Sequence, residues 1–396
     1  MKNHLRLLTP GPTAIPDRVR LAMAMPMIHH RKPEFKAIME ETRGYLKKLF
    51  GTEQEVLPLA GSGTGAMTAA VTNLFNRGGK IIVAQAGKFG ERWREIAKVQ
   101  GLEIVEIVKP WGEAILADDI EEALQKNPDV QGVCLQICET STGVMHPIYE
   151  IAKVTQKYDV LLVADGISSV GISPAPMDEW GIDALLTGSQ KGLMVPAGLS
   201  LLAFSEKAWK KAEQVEPSCF YFNMKAERKN VLKNQTNFSS PVSLIVGLRE
   251  ALTMIFEDVT HGGYGGLDNL YQKHFALAQM TRAGIKAMGL EPFAKTHYAW
   301  GLTSVAMPKG ILGSDLVSTA AKETGVIIAA GQEPMKDELI RLAHMGYVDF
   351  GDMLAGLYAV GKSLAAKPQN FDNAYMSIAM QAYENAPAYP KTALAD

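Results

Sequence analysis

Short apolar runs alternate with amphipathic segments along most of this chain. Runs rich in leucine and β-branched residues, bounded by glycine, proline or aspartate, are typical of buried strands. Apolar residues that recur with a helical period are typical of helices that cover a sheet. The predicted strands are 80–84, 103–108, 130–137, 160–164, 184–186 and 199–204, and the predicted helices are 34–50, 66–75, 91–99, 118–126, 148–158 and 242–256. This alternation predicts an α/β protein with a large domain whose mostly parallel sheet carries helices on both faces.

A glycine-rich break at 262–266 separates this pattern from a second, shorter one. A long amphipathic helix at 267–288 follows, and then strands near 303–307, 326–329 and 339–343. We therefore expect an N-terminal arm (1–17), a large domain (18–258) and a smaller C-terminal α/β domain (259–396). The arm contains the segment TPGPT at 9–13, where prolines remove backbone donors, so it is expected to be irregular and to pack on another subunit or domain.

Composition narrows the protein classes but does not select one. The 396 residues are 47% hydrophobic and 21% charged, with a formal net charge of −2, which is ordinary for a soluble protein and favours neither nucleic acid nor an anionic membrane as a partner. The three cysteines are too few for a disulfide framework. The apolar stretch at the N-terminus is too short for a signal peptide, and no apolar segment approaches the length of a membrane span. We expect a cytoplasmic protein.

Two candidate chemical groups follow neighbouring predicted strands. Asp165 ends the run 160–164, and Lys191 comes shortly after the run 184–186. In open α/β sheets, ligands bind outside the carboxyl ends of the strands, so both side chains are expected at one site. A lysine that can form a Schiff base and an acid that can pair with a pyridine nitrogen suit pyridoxal phosphate. Taken alone, the same two residues are also compatible with solvated or capping side chains.

A glycine-rich turn at 57–65 leads into the alanine-rich helix 66–75. The free N–H groups and the positive dipole end at such a helix start suit a phosphate group. The segment is neither a Walker A loop nor a dinucleotide-binding fingerprint, and a plain capped helix remains the alternative reading. Arg341 lies within the strand 339–343. It is either an arginine on a sheet edge or an arginine whose guanidinium group binds a substrate carboxylate through two hydrogen bonds.

Together these segments resemble class V aminotransferases, which are fold-type-I pyridoxal phosphate enzymes, and most of all the alanine–glyoxylate and serine–pyruvate group. The resemblance runs from LTPGP at 8–12 to the region around Gly346. Its most specific parts are SQK at 189–191, Asp165 upstream and ETSTG at 139–143. It implies the fold of that family and an amino transfer in two half-reactions.

The resemblance assigns roles to the matching positions of this chain. Lys191 would form the Schiff base and move the substrate proton, and Asp165 would pair with the pyridinium nitrogen. The other cofactor-binding positions would be Gly63, Thr64, Phe89, Thr140, Ile167, Gln190 and Ser239, with Phe89 and Ile167 against the cofactor ring. The substrate-binding positions would be Arg341, Thr140 and His29, and no metal site is implied.

The family pattern also implies a homodimer in which a loop of the partner subunit completes the phosphate site. Here that loop runs from Thr236 to Ser240. Thr236 stands where relatives often carry tyrosine, although Ser239 keeps a hydroxyl nearby. The segment His29-His30-Arg31 replaces small residues that wall the substrate pocket in relatives. Its bulk and positive charge point towards a different, acidic substrate.

The expected reaction moves an amino group from a small, alanine- or serine-like amino acid to a 2-oxo acid, glyoxylate or pyruvate. Donor and acceptor stay open at this level. One alternative is a lyase or cysteine desulfurase of the same superfamily, which needs an accessible nucleophilic cysteine. Another is a non-catalytic subunit of the same fold, which the Asp165–Lys191 pair disfavours. A nucleotide-binding α/β protein is disfavoured because the phosphate-loop motifs are missing.

Overall fold

The computed structural model describes residues 5–365 and 373–392. In these residues the strands β1 to β15 are Arg6–Leu7, Val56–Gly61, Lys80–Gln85, Glu103–Val108, Gly132–Gln136, Cys138–Glu139, Val144–Met145, Leu161–Asp165, Ala184–Gly188, Gly198–Phe204, Glu291–Pro292, Leu302–Ala306, Val326–Ile327, Ala329–Ala330 and Leu339–Ala343. The helices α1 to α14 are Asp17–Met23, Pro33–Phe50, Gly63–Leu74, Lys88–Gln100, Ala117–Lys126, Ile148–Lys157, Met177–Trp180, Glu206–Glu213, Met224–Val231, Val242–Phe256, Leu267–Ala287, Gly313–Thr324, Phe350–Ala365 and Tyr375–Glu384.

Seven strands form the central sheet in the order β2-β10-β9-β8-β5-β3-β4. The neighbours from β9 to β4 run parallel, and β10 is antiparallel to both β9 and β2. Parallel neighbours need long crossover connections, and the helices in those connections pack against the sheet. The prediction of a mostly parallel sheet flanked by helices is therefore confirmed.

The edge strand β2 was missed because its sequence contains Pro58 among the glycine-rich residues of the predicted turn. In the structure, Pro58 faces Leu201 of β10 within a regular antiparallel ladder. Proline is tolerated on an edge strand because no second neighbour requires its missing N–H group. The turn itself is shorter than predicted, and α3 begins at once after it, at Gly63.

A second sheet, in the order β11-β12-β15-β14, belongs to the C-terminal part of the chain. Its strands and helices α12, α13 and α14 enclose a second hydrophobic core. The first half of α11 contributes Leu270 and Phe275 to the larger core, and its second half contributes Leu277 and Met280 to the smaller one. The boundary expected at 258/259 stays a prediction, and helix α11 connects the two cores.

The N-terminal arm packs on the smaller core. Strand β1 pairs in parallel with β13, and Leu8 is buried among the residues of that core.

The predicted single strand 326–329 is wrong, because the chain changes partners within it. Val326 and Ile327 pair with the arm, whereas Ala329 and Ala330 pair with β15. Several helices of the described ranges, among them α1, α9, α12, α13 and α14, were not predicted. No helix in the described ranges is long and apolar enough to cross a membrane.

Candidate active site

The carboxyl ends of β8 and β9 bring the two candidate catalytic residues to one cleft. Asp165 is the last residue of β8, and Lys191 follows the end of the adjacent parallel strand β9. Both side chains are buried, with 4% and 7% of their surfaces exposed. They line a cleft of about 420 Å³, whose walls come from the large sheet, the N-terminal arm and the smaller sheet.

Lys191 is held from both sides by the arm. Its Nζ donates a hydrogen bond to the Pro10 carbonyl, and its own carbonyl accepts one from Thr13 Oγ1 at 3.1 Å. The pKa of Lys191 is lowered to about 8, mainly by burial. The positive charges of Arg341 and Arg92 contribute to this lowering, and Cys138 and Asp165 oppose it. A lysine with this pKa has a substantial fraction of neutral amine near neutral pH, which nucleophilic attack and proton transfer require.

A backbone hydrogen bond orients one carboxylate oxygen of Asp165. Its Oδ1 accepts a hydrogen bond from the Ile167 N–H at 2.8 Å. Burial raises the pKa of Asp165 to about 7, although the Ile167 N–H opposes this rise. A buried carboxyl group of this kind is stabilised as the anion when a cation comes next to it. It is therefore suited to pair with a positively charged ring nitrogen.

The start of helix α3 faces the same cleft. Its N-cap residue, Ser62, makes no side-chain capping hydrogen bond, so the helix keeps N–H groups available at this end. Gly63 is required by close packing, because a Cβ atom there would lie 2.2 Å from Ile167 Cδ1. Thr64 follows in the first turn and also lines the cleft. Together these groups form an anion site of the type that helix starts provide.

Phe89 lies in the first turn of α4 and is positioned by a buried acid. The carboxylate of Glu139 accepts hydrogen bonds from the N–H groups of Phe89 at 3.1 Å and Gly90 at 3.0 Å. Burial raises the pKa of Glu139, and hydrogen bonds from Ser141, Gly90 and Phe89 oppose that rise. Glu139 thus caps α4 from a different part of the chain and fixes the aromatic ring at the cleft.

Arg341 reaches the cleft from the smaller sheet. Strand β15 lies between β12 and β14, so the reading as an arginine on a sheet edge is wrong. Its Nε donates to the Ala330 carbonyl at 3.0 Å, and Nη1 donates to the Thr140 carbonyl at 3.3 Å. Burial lowers the pKa of Arg341 to about 10, and the side chain remains a cation at neutral pH. The Thr140 hydroxyl forms a 2.6 Å hydrogen bond with Ser168 Oγ beside it.

The predicted site residues fall into two groups. One group lines the cleft of a single chain: Gly63, Thr64, Phe89, Thr140, Asp165, Ile167, Gln190, Lys191 and Arg341. The other group, Ser239 and His29, does not line this cleft. Ser239 is exposed on the loop 236–240, and His29 is exposed and stacked on His30 at 4.8 Å.

Arg31 has a structural partner that the sequence did not reveal. Its Nη1 donates to Gln235 Oε1 at 2.6 Å and to the Thr236 carbonyl at 3.0 Å, and Nη2 donates to the Phe238 carbonyl at 3.3 Å. The guanidinium group therefore holds the loop 236–240 in shape. Three of its five N–H groups are used in this way, which weakens the expectation that Arg31 attracts an acidic substrate.

Sequence reasoning missed several residues of the cleft. They include Thr9 and Pro10 of the arm, and Arg92, Cys138, Ser168 and Gln332. Arg92 could have been found from its spacing, because it follows Phe89 by one helical turn and so shares its face of α4. Its guanidinium carbon lies 4.8 Å from the centre of the Phe89 ring, and Nη1 donates to Thr64 Oγ1 at 3.1 Å.

A mostly parallel sheet that places a lysine and an acid at adjacent strand ends, beside a helix start, defines a fold-type-I enzyme of amino-group chemistry. The family model described as "Aminotransferase class-V" matches residues 18–348. The chain therefore belongs to the class V aminotransferases. Membership of this family implies pyridoxal phosphate as the cofactor.

Proteins with similar sequences carry several names. The chain is 34% identical over 368 residues to a protein named "Soluble hydrogenase, small subunit" from Synechococcus sp., covering 92% of this chain and 94% of that one. It is 33% identical over 376 residues to the serine–glyoxylate aminotransferase of Methylorubrum extorquens, covering 92% and 91%. The solved structure of an alanine–glyoxylate aminotransferase from Nostoc sp. matches with a TM-score of 0.86 at 27% identity, covering 92% and 96%.

Proposed function

We propose that this aminotransferase moves an amino group from a small, alanine- or serine-like amino acid to glyoxylate or pyruvate, with pyridoxal phosphate bound at Lys191. One observation carries the proposal. A buried lysine, a buried carboxylate, an uncapped helix start and a buried arginine converge on a single cleft. Each of these groups matches one part of the cofactor or of an amino acid substrate, and the relatives named for glyoxylate support the choice of acceptor.

The chemistry of the cleft fits the cofactor. Thr64 and the start of α3 would hold the phosphate group, with Gln190 beside Lys191 as a further polar neighbour. The Oε1 atom of Gln190 is buried and has no hydrogen-bond partner within the described residues. Because phosphate oxygens accept hydrogen bonds, the amide Nε2 of Gln190 would be the group that donates to them. The small size of Gly63 lets Ile167 approach closely, and Phe89 offers a second apolar surface for a ring. Thr140 and Asp165 would meet the polar edge of that ring.

Pyridoxal phosphate, when bound, supplies an electron sink for bonds at the substrate α-carbon. The protein supplies the remaining functions. Lys191 Nζ takes the proton that leaves the α-carbon and returns it at the other end of the transfer, for which its lowered pKa is suited. The Asp165 carboxylate would keep the ring nitrogen protonated by supplying a negative charge beside it.

Arg341 would bind the substrate carboxylate. Two of its N–H groups are engaged by the carbonyls of Ala330 and Thr140, and these bonds fix the plane of the guanidinium group. Three N–H groups remain for a ligand, enough for a two-point contact with a carboxylate. The contact would orient the α-carbon towards Lys191 and would be shared by amino acid and oxo acid substrates.

We further propose that the protein works as a homodimer in the cytoplasm. The loop 236–240 is kept in shape by Arg31 but does not line the cleft of its own chain, which supports a role in the partner's site. In such a dimer, Ser239 and Thr236 would approach the partner's phosphate site, and His29 would approach its substrate pocket. We also propose the limits 1–17 for the arm, 18–258 for the large domain and 259–396 for the small domain.

A spectrum tests the proposal directly. The purified protein, loaded with pyridoxal phosphate, is expected to show the visible absorption band of the lysine-bound cofactor. L-alanine, L-serine or L-aspartate would then be added one at a time, and glyoxylate or pyruvate afterwards. A small neutral amino acid should bleach the band, and the oxo acid should restore it. A band that no amino acid bleaches would contradict the proposed donor class.

The cysteine desulfurase alternative lacks a suitable nucleophile among the described residues. Cys134 is buried in the core, and Cys138 is buried at the wall of the cleft. Burial raises the pKa of both thiols far above the ordinary value, so neither is a thiolate at neutral pH. Cys219 is partly exposed but lies outside the cleft. Because desulfuration requires an accessible thiolate, we expect no sulfide release when the loaded protein is incubated with L-cysteine.

A further inference from the structure

Gln332 lines the cleft at a position that neither the family pattern nor the sequence singled out. It comes two residues after Ala330, whose carbonyl accepts the hydrogen bond from Arg341 Nε. Its side chain therefore borders the region where Arg341 would bind a substrate carboxylate. Ala329, on the same strand as Ala330, forms the adjacent wall.

The backbone of Gln332 is held by a tight turn. The Met335 N–H donates to the Gln332 carbonyl at 2.6 Å, and the Gly331 N–H donates to the carbonyls of Lys336 at 3.2 Å and Leu339 at 2.9 Å. The residue is thus presented by a fixed backbone next to β15. A fixed backbone sets the position from which the side chain reaches the cleft, as rigid elements do for binding groups.

The carboxamide of Gln332 has an unsatisfied acceptor. Its Oε1 atom is buried and has no hydrogen-bond partner within the described residues. A buried oxygen without a donor costs free energy, so native sites usually provide a donor from a ligand or from water. The required group is an O–H or N–H, because a carboxylate would place negative charge against this oxygen.

We propose that Gln332 determines which amino donor is used, by accepting a hydrogen bond from a hydroxyl or amide on the donor's side chain. This inference rests on the proposed function and adds a specificity to it. A serine-like donor satisfies Oε1, whereas alanine leaves it unpaired and aspartate brings a charge of the wrong sign. Sites built around a hydrogen bond reject analogues that lack the bonding group more strongly than apolar pockets reject a missing methylene.

The test compares three variants in the half-reaction with the amino donor. Gln332→Leu removes both polar atoms at similar size. Gln332→Glu keeps an oxygen acceptor but removes the amide donors. Glu333→Gln changes the exposed neighbour on the same turn and serves as the matched control. For each protein, kcat/KM is measured with L-serine, L-alanine and L-aspartate by following the bleaching of the visible band.

In Gln332→Leu, the ratio of kcat/KM for L-serine over L-alanine should fall on the order of tenfold, mainly because the value for serine falls. Gln332→Glu should keep the preference for serine and use aspartate even less well. Glu333→Gln should keep the wild-type ratio. If Gln332→Leu lowers the kcat/KM values for serine and alanine by the same factor, Gln332 belongs to the carboxylate-binding group instead, and the inference is wrong. An unchanged ratio would overturn it as well.

A binding measurement separates this inference from the proposed function. L-lactate and D- or L-glycerate carry a hydroxyl in place of the amine, so they bind without reacting, and they differ from each other as alanine differs from serine. Calorimetry on the loaded wild type should give tighter binding for glycerate, and Gln332→Leu should remove the difference. If no amino acid bleaches the wild type, the proposed function fails, whereas this comparison still shows whether Gln332 recognises a side-chain hydroxyl. Equal affinities in the wild type would contradict that role.

Discussion

Lys273 Nζ donates a hydrogen bond to the Gly346 carbonyl at 2.8 Å. Gly346 in turn packs against the segment that carries the reactive lysine. A Cβ atom at this glycine, whose φ is +72°, would lie 2.9 Å from the Lys191 carbonyl oxygen and 3.0 Å from Thr13 Oγ1. Lys273 on α11 thus supports, through Gly346, the backbone of the segment that carries Lys191.

Replacement of Lys273 by methionine should change how stability depends on pH. Burial lowers the pKa of Lys273 to about 7, although Asp349 and Asp352 oppose this. Between that value and the ordinary lysine pKa, the unfolded chain binds a proton that the folded chain does not. Stability therefore rises with pH in this window. From pH 7 to 9 the wild type should gain on the order of 2 kcal/mol relative to Lys273→Met.

Urea unfolding of both proteins at pH 7 and pH 9 measures this difference. Lys98→Met on the exposed face of α4 serves as the matched control, and its difference from the wild type should not change with pH in this way. Parallel pH dependences for the wild type and Lys273→Met would show that Lys273 stays charged in the folded protein.

Replacement of Lys191 by alanine should abolish turnover and leave the fold intact. The proposed reaction needs an amine at this position for both cofactor attachment and proton transfer. The variant should bind pyridoxal phosphate without the visible band of the lysine-bound form. Circular dichroism and the melting temperature provide the control for folding. Full activity of Lys191→Ala would refute the assignment of the catalytic residue.

Replacement of Arg341 by alanine should mainly raise KM, by about 10- to 100-fold, for every carboxylate substrate, because a charged hydrogen-bonded contact is lost. The amino acid and the oxo acid should be affected alike. Arg341→Lys keeps the charge but lacks the planar fork, so it should recover only part of the loss. Steady-state kinetics with both substrates varied measure the effect. An unchanged KM would contradict the role of Arg341 in carboxylate binding.

Replacement of Arg92 by methionine should weaken binding of pyridoxal phosphate by about tenfold. Arg92 Nη1 donates to Thr64 Oγ1, which leaves the threonine hydroxyl hydrogen free for an anion. The guanidinium group also adds positive charge near the start of α3. Titration of the cofactor-free protein gives the dissociation constant. Arg94→Met, two positions along the same helix, is the control, because Arg94 pairs with Glu95 instead.

Mixed dimers test the proposed contribution of one subunit to the other's site. Arg31→Met should loosen the loop 236–240 and lower the activity of both sites in a dimer. When Arg31→Met is mixed with Lys191→Ala, half of the dimers should contain one chain of each variant. In such a dimer, the intact Lys191 of one chain meets the intact loop of the other chain. About a quarter of wild-type activity should return after subunit exchange. If mixed dimers form without this recovery, the loop serves its own chain.

The residues at the strand ends were accessible from the sequence because their signal is local. Asp165 directly follows an apolar run and Lys191 comes shortly after another, and parallel neighbours bring such positions together at one sheet edge. Arg341 was recognised in the same way, as a charge within an apolar strand. These residues form the centre of the candidate site.

Other features depend on contacts between distant parts of the chain. Nothing near Pro10 in the sequence indicates that its carbonyl meets Lys191, and nothing near Gln332 indicates a buried oxygen at the cleft. The strand β2 was hidden by Pro58, since only its place at the sheet edge makes a proline acceptable. The break between Ile327 and Ala329 lies where the chain changes partners, from the arm to β15, and both partners are distant in sequence.

The N-terminal arm connects the smaller core to the reactive lysine of the cleft. Leu8 is buried in the smaller core and donates and accepts backbone hydrogen bonds there, with Ile327 at 2.8 Å and Ala343 at 2.9 Å. Only two residues later, the Pro10 carbonyl accepts the hydrogen bond of the reactive amine. The arm therefore links the position of the smaller core to the hydrogen bond of that amine. Substitutions that move Leu8 within the smaller core are therefore expected to change the hydrogen bonding of Lys191 without touching the cleft.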